Sequence, residues 1–133
     1  MSQENVEIVR SAYDALNRRG DWGWALRHVH PDCVCTFHAG PNAGTHRGLE
    51  EIRAVFEDTT AGFDAWIQEP VKFYESGDRV VVVVRHRLRP KGGSSGEFEF
   101  RNSAIWTVRD GAIVLLEGFP SPAGALEAVG LRE

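Results

Sequence analysis

Strand patterning fills the second half of the chain. Arg79-Val80-Val81-Val82-Val83-Val84-Arg85-His86-Arg87-Leu88-Arg89 is β-branched and far too valine-rich for a helix. Pro90-Lys91-Gly92-Gly93-Ser94-Ser95-Gly96 breaks it with turn residues. Glu97 to Val108 resumes as a strand, Arg109-Asp110-Gly111 turns the chain, and Ala112 to Phe119 completes a three-strand meander. Such a meander needs a layer over its inner face.

The first half supplies that layer. Ser2 caps a helix from Gln3 to about Arg19, with Gly20 as its stop. Its stripe is Val6, Val9, Tyr13 and Leu16, widened by Ile8, Ala12 and Ala15. Asp21 caps a second helix through Trp22, Trp24, Leu26 and Val29, ended by Pro31. Cys33 to Ala39 reads as a strand and Gly40 to Gly48 as a loop. A third helix then carries Leu49, Ile52, Val55 and Phe56 and frays at Asp58-Thr59-Thr60 before Gly62. Phe63 to Glu75 is a strand that Pro70 confines to an edge or a bulge. Ser121 caps and Pro122 opens a last short helix with Ala125, Leu126 and Val129, stopped at Gly130. Helices followed by strands mean an α+β fold in a single domain, 1–133.

Period two sorts the sheet faces. Phe98, Phe100, Asn102, Ala104, Trp106 and Val108 share one face, as do Val80, Val82, Val84, His86 and Leu88; both sets face the helices. Val81, Val83 and Ile105 are left apolar on the outer face. With too few helices remaining to cover them, a second copy is the expected cover: a homodimer packed through the outer sheet faces.

Composition narrows the class. Fifteen basic against nineteen acidic residues give −4, which argues against a nucleic-acid or anionic-membrane binder. The basic run Arg85, Arg87, Arg89, Lys91 reads as a solvated strand face. No stretch reaches the roughly 18 apolar residues of a membrane span. The N-terminus Met1-Ser2-Gln3-Glu4-Asn5 does not read as a signal peptide. Cys33 and Cys35 share a strand face as free thiols, so a cytoplasmic setting is expected.

At this point the pattern resembles the SnoaL-like branch of the NTF2-like superfamily, an α+β cone. The resemblance rests on Tyr13-Asp14-Ala15-Leu16-Asn17 with Gly20-Asp21, on His30-Pro31-Asp32, and on His46-Arg47-Gly48-Leu49-Glu50-Glu51-Ile52-Arg53. Gly77-Asp78-Arg79-Val80-Val81-Val82, Trp106-Thr107-Val108-Arg109-Asp110-Gly111 and Ala125-Leu126-Glu127-Ala128-Val129-Gly130-Leu131 extend it. These are caps, turns and core, which carry fold rather than chemistry. The resemblance implies a curved sheet around a helix-lined apolar pocket, commonly in a dimer, in a family that includes isomerases, cyclases, epoxide hydrolases and dehydratases.

Chemistry transfers poorly. The acidic base that the resemblance places after the first strand falls at Phe37, with His38 beside it. His38 is a candidate acid/base, or a solvent-facing residue at a strand end. The isomerases' tyrosine and aspartate align with Ala12 and Ala104, and Tyr13 lies one residue off. The epoxide hydrolases' arginine-aspartate network is not recognisable. His86 and Asn102 either line a cavity walled by Trp66 and Trp106 or mend the core, and Glu117 either joins them or lies on the dimer face. Cys33-Val34-Cys35 with His38, and His28-Val29-His30, lack a four-ligand zinc spacing, so no metal is expected. Gly92-Gly93 and Gly96 precede a strand, not a helix, so they form no phosphate loop. There is no Gly-x-Ser-x-Gly elbow, and no cofactor is expected.

The sequence therefore predicts a pocket protein for a small apolar organic ligand. Its candidate acid/base residues are His38 and His86. Its ligand-binding set is Tyr13, Phe37, Phe56, Trp66, Asn102 and Trp106. Isomerase, cyclase or hydratase chemistry is one reading; a non-catalytic binding or interaction dimer is the other.

Overall fold

The computed structural model describes residues 2–18, 21–92 and 96–131. The expected end of the first helix at Arg19-Gly20 and the turn residues Gly93-Ser94-Ser95 lie outside the described residues, as does the Ser2 side chain. The chain runs α1 (Ser2–Asn17), α2 (Trp22–His28), β1 (Val29–Phe37), β2 (Gly44–Arg47), α3 (Leu49–Thr60), β3 (Phe63–Ser76), β4 (Arg79–Pro90), β5 (Phe98–Arg109), β6 (Ala112–Phe119) and α4 (Gly124–Ala128). Among the described residues the strands form one six-stranded sheet in the order β2-β1-β6-β5-β4-β3. Among the described strands only β1 and β6 pair in parallel. The α+β expectation holds: α1, α2 and α3 line the concave face of a curled sheet.

Local chemistry explains the elements. Asp110 and Gly111 take φ of 51° and 77° between β5 and β6, the left-handed pair that a two-residue hairpin turn needs. Gly48 precedes α3 with φ 86° and ψ 153°, a region closed to side chains, while Glu51 accepts from the Arg47 amide at 3.1 Å. Leu131 N–H bonds the Leu126 carbonyl at 2.8 Å and closes α4 across Gly130. Pro70 meets both halves of its expectation, since β3 is an edge strand and its register slips between Pro70 and Lys72. Asn17 satisfies that edge from α1, donating to the Gln68 carbonyl at 2.9 Å and accepting from its amide at 2.8 Å.

Several boundaries differ from the sequence reading: β1 ends at Phe37, and α4 begins at Gly124 rather than at Pro122. α2 stops at His28, and Val29 already pairs with Ile113 in β1. Pro31 thus lies inside a strand, at the irregularity between Val29 and Val34 where no ladder amide is required. Leu26, expected on the apolar face, is 73% exposed, because Trp24 and Ala25 are what α2 buries. The loop from Gly40 to Gly48 contains β2, which pairs with β1 from Val34↔Arg47 to Phe37↔Gly44. The helix α3 does not fray at Asp58: it runs on to Thr60, whose hydroxyl bonds the Phe56 carbonyl at 2.9 Å.

The core lies where alternation put it. Val80, Val82, Val84, Ala104, Trp106 and Val108 pack against Val9, Ala12 and Tyr13 of α1. Toward the open end that cover runs out, and Phe98 and Phe100 are 51% and 43% exposed. The outer face brings a correction. Val81, Val83 and Ile105 are buried beneath Ala125 and Leu126 of α4, not left for a second chain. Ser103 ties α4 down, accepting from the Ala125 amide at 2.9 Å and donating to the Ser121 carbonyl at 2.6 Å. The apolar outer residues therefore supply no ground for a partner subunit.

Candidate functional site

Two adjoining cavities open between the helices and the concave face, sharing Leu16, Phe56, Thr60, Trp66, Gln68, Trp106 and Leu116. The cysteine cavity, of about 290 Å³, is floored by Cys33 and Cys35 and roofed by Ala12, Ala15 and Ile52. Burial pushes the two thiols up to about 11 and about 12, so they remain protonated and unreactive at neutral pH. Asp21 and Glu57 at its rim are bonded to Arg18 and Arg53, at 2.9 Å and 3.2 Å. Among the described residues, no three His, Cys, Asp or Glu side chains converge as metal ligands.

The histidine cavity, of about 330 Å³, carries the ordered polar groups. The register sets Trp66 beside Leu88, Gln68 beside His86, and Asn102 beside Val84. Trp66, His86 and Asn102 are therefore diagonal neighbours on one face of three strands, within reach of one another. Trp66 Nε1–H donates to His86 Nδ1 at 3.0 Å, and His86 Nε2 meets Asn102 Oδ1 at 2.7 Å. The Phe100 ring stacks on the imidazole with 4.5 Å between centroids and 5° between planes. Burial lowers the His86 pKa below the ordinary imidazole value, against the smaller raising effect of the Asn102 bond, so the ring is neutral at pH 7. On the other wall Trp106 Nε1–H donates to the Tyr13 hydroxyl at 3.0 Å, edge to face. Burial holds the Tyr13 hydroxyl far above its usual pKa. Among the described residues, no Asp, Glu, Lys or Arg lines this cavity.

Solved structures share this architecture. An NTF2-like protein of unknown function from Burkholderia pseudomallei K96243 is 25% identical with a TM-score of 0.75, covering 96% of this chain and 98% of its own. A proposed SnoaL-like polyketide cyclase from Jannaschia sp. CCS1 aligns at 19% identity and TM-score 0.79, over 99% of this chain and 95% of its own. A hypothetical protein with a ketosteroid isomerase-like fold from Catenulispora acidiphila DSM 44928, in complex with trimethylamine, aligns at 21% identity and TM-score 0.74. It covers 95% of this chain and 94% of its own. At 19% and 21% identity the last two speak for the fold alone. No curated protein matches the chain. Residues 9–116 match the model of the SnoaL-like domain. The chain belongs to the SnoaL-like domain family.

Within this SnoaL-like chain, Tyr13, Phe37, Phe56, Trp66, His86, Asn102 and Trp106 all line the histidine cavity. His38 does not join them. It follows Phe37 by one residue and so points to the opposite face, where Nε2 lies 3.5 Å from Glu117 Oε2 and the ring stacks on Phe119. Glu117 is accordingly outside the cavity as well, in register with Thr36. Gln68 was missed by the sequence reading, although it shares parity with Trp66 and lines both cavities. Gly118 was missed too: it faces Phe37 across the parallel pair, where a side chain would collide with the ring.

Proposed function

We propose that this SnoaL-like protein binds a small, mostly apolar organic molecule in the histidine cavity. The observation that carries the reading is a concave site walled by Phe37, Phe56, Trp66 and Trp106 in which few polar groups are held in place, the usual make-up of a small-molecule site. The geometry favours binding and orientation over proton transfer. Both ring nitrogens of His86 are engaged within the protein, and His38 stands on the other side of the sheet. Isomerase, cyclase or hydratase chemistry through His86 would first require Trp66 or Asn102 to release it.

The experiment is a thermal-shift screen of apolar aromatic and carbonyl compounds, followed by a turnover assay on each hit. Saturable binding without turnover is the expected result. Turnover that disappears in His86→Gln would move the assignment to acid/base catalysis. A cavity that takes none of the compounds would end the reading.

A further inference from the structure

We propose that the histidine cavity selects a neutral carbonyl oxygen, and that His86 is the positioning residue that sets this choice by fixing which end of the Asn102 amide faces the ligand. The inference rests on reading that cavity as a ligand site. It follows from the direction of each hydrogen bond. An indole N–H can only donate. Trp66 Nε1 lies 3.0 Å from His86 Nδ1, so Nδ1 is the unprotonated nitrogen. The neutral ring then carries its proton on Nε2, which lies 2.7 Å from Asn102 and must meet an acceptor there. That fixes Oδ1 toward His86 and leaves the amide NH2 as the free end. It has no acceptor among the described residues, and Asn102 lines the cavity.

The opposite wall repeats the logic. Trp106 Nε1–H occupies a lone pair of the Tyr13 hydroxyl at 3.0 Å, and the Tyr13 O–H has no acceptor among the described residues. Two tryptophans thus spend their N–H groups on the wall, and the wall offers donors at Tyr13 and Asn102. Gln68 also lines the cavity, but its side-chain amide has no fixed partner among the described residues and can turn either end inward. A donor that a bound ligand shields from water without meeting costs about 1–3 kcal/mol, which an acceptor oxygen on the ligand recovers.

Charge decides the kind of oxygen. Among the described residues, those lining the cavity include no cationic side chain, and the two titratable groups there, His86 and Tyr13, are both neutral. A carboxylate would enter without a counter-charge, at a cost far above that of any neutral polar group. A ketone, quinone or ester oxygen meets either donor without that penalty.

The test uses three naphthalenes of nearly equal size: 2-acetylnaphthalene, 2-isopropenylnaphthalene and 2-naphthoate. Each is titrated into the full chain at neutral pH by calorimetry. The ketone is expected to bind roughly ten-fold tighter than the hydrocarbon or the carboxylate. Its carbonyl stretch, read by infrared difference with a 13C label, is expected to fall below the value in hexane. His86→Gln keeps one acceptor and one donor and should preserve both results. His86→Leu frees the Asn102 amide to turn either end inward, and should lower the ketone-to-hydrocarbon ratio several-fold toward the share that Tyr13 alone sustains, and reverse part of the infrared shift. Asn102→Leu applies the same test if His86→Leu does not fold. Equal binding of ketone and hydrocarbon, tighter binding of naphthoate, or an unchanged ratio in both leucine variants overturns the inference while leaving the cavity a ligand site. Failure of all three compounds to bind overturns the site and the inference together.

Discussion

Trp66 donates to His86 Nδ1 at 3.0 Å, and this one bond makes the charged imidazole incompatible with the folded arrangement. A proton on Nδ1 would face another N–H across that gap. The groups around the ring are Trp66, Gln68, Phe100 and Asn102, all uncharged, and the Asn102 bond, which favours the charged ring, is outweighed by burial. The folded pKa is lowered from the ordinary 6.5. The unfolded chain therefore binds the proton first as pH falls. The contribution of His86 to stability is full above the unfolded value and is lost as pH falls from there through the folded value. Denaturant midpoints from pH 8 to 5 should fall more steeply for the wild type than for His86→Gln, and parallel curves would refute the assignment.

Tyr13→Phe removes one oxygen and leaves the Trp106 indole N–H buried without its acceptor. A loss of about 1–3 kcal/mol in urea unfolding is expected. A loss near zero would mean that Trp106 has found another partner.

Gly118→Ala tests how the cavity is shaped. The added Cβ would lie 2.8 Å from Phe37 Cδ1, too close for contact, so the ring must swing toward the cavity it lines. Stability should drop by about 1–3 kcal/mol, and 2-acetylnaphthalene should bind more weakly. Unchanged affinity would place the ligand elsewhere.

His38→Ala should leave that affinity unchanged, because His38 is not among the residues that line the cavity and its ring faces Glu117. A tenfold loss in the same titration would return His38 to the site.

Leu126→Ala probes the cover over the outer valines. Leu126 is 1% exposed, and trimming it should cost about 2–5 kcal/mol in the same unfolding measurement. If the loss stays below about 0.5 kcal/mol, α4 is not what buries Val81, Val83 and Ile105.

Much of this molecule was readable because alternation and turn chemistry are local. The run Val80 to Val84 reads as a strand, and parity alone sent His86, Asn102 and Trp106 inward, while the helical stripe sent Tyr13 toward them. The same parity argues against His38, since Phe37 beside it faces in. β2 left no such trace, because Gly44–Arg47 is short and embedded among turn residues, and becomes a strand only when β1 is there to pair with it.

What came from the residues alone, then, was the type of most elements, the inward set and the aromatic character of the pocket, since each depends on contacts a few positions apart. The docking of α4 on Ile105 and the bonds joining Trp66, His86 and Asn102 came from folding. They depend on register and on surfaces meeting across 16 to 20 residues of chain, and no short-range pattern encodes where a five-residue helix comes to rest or which nitrogen of a histidine holds its proton.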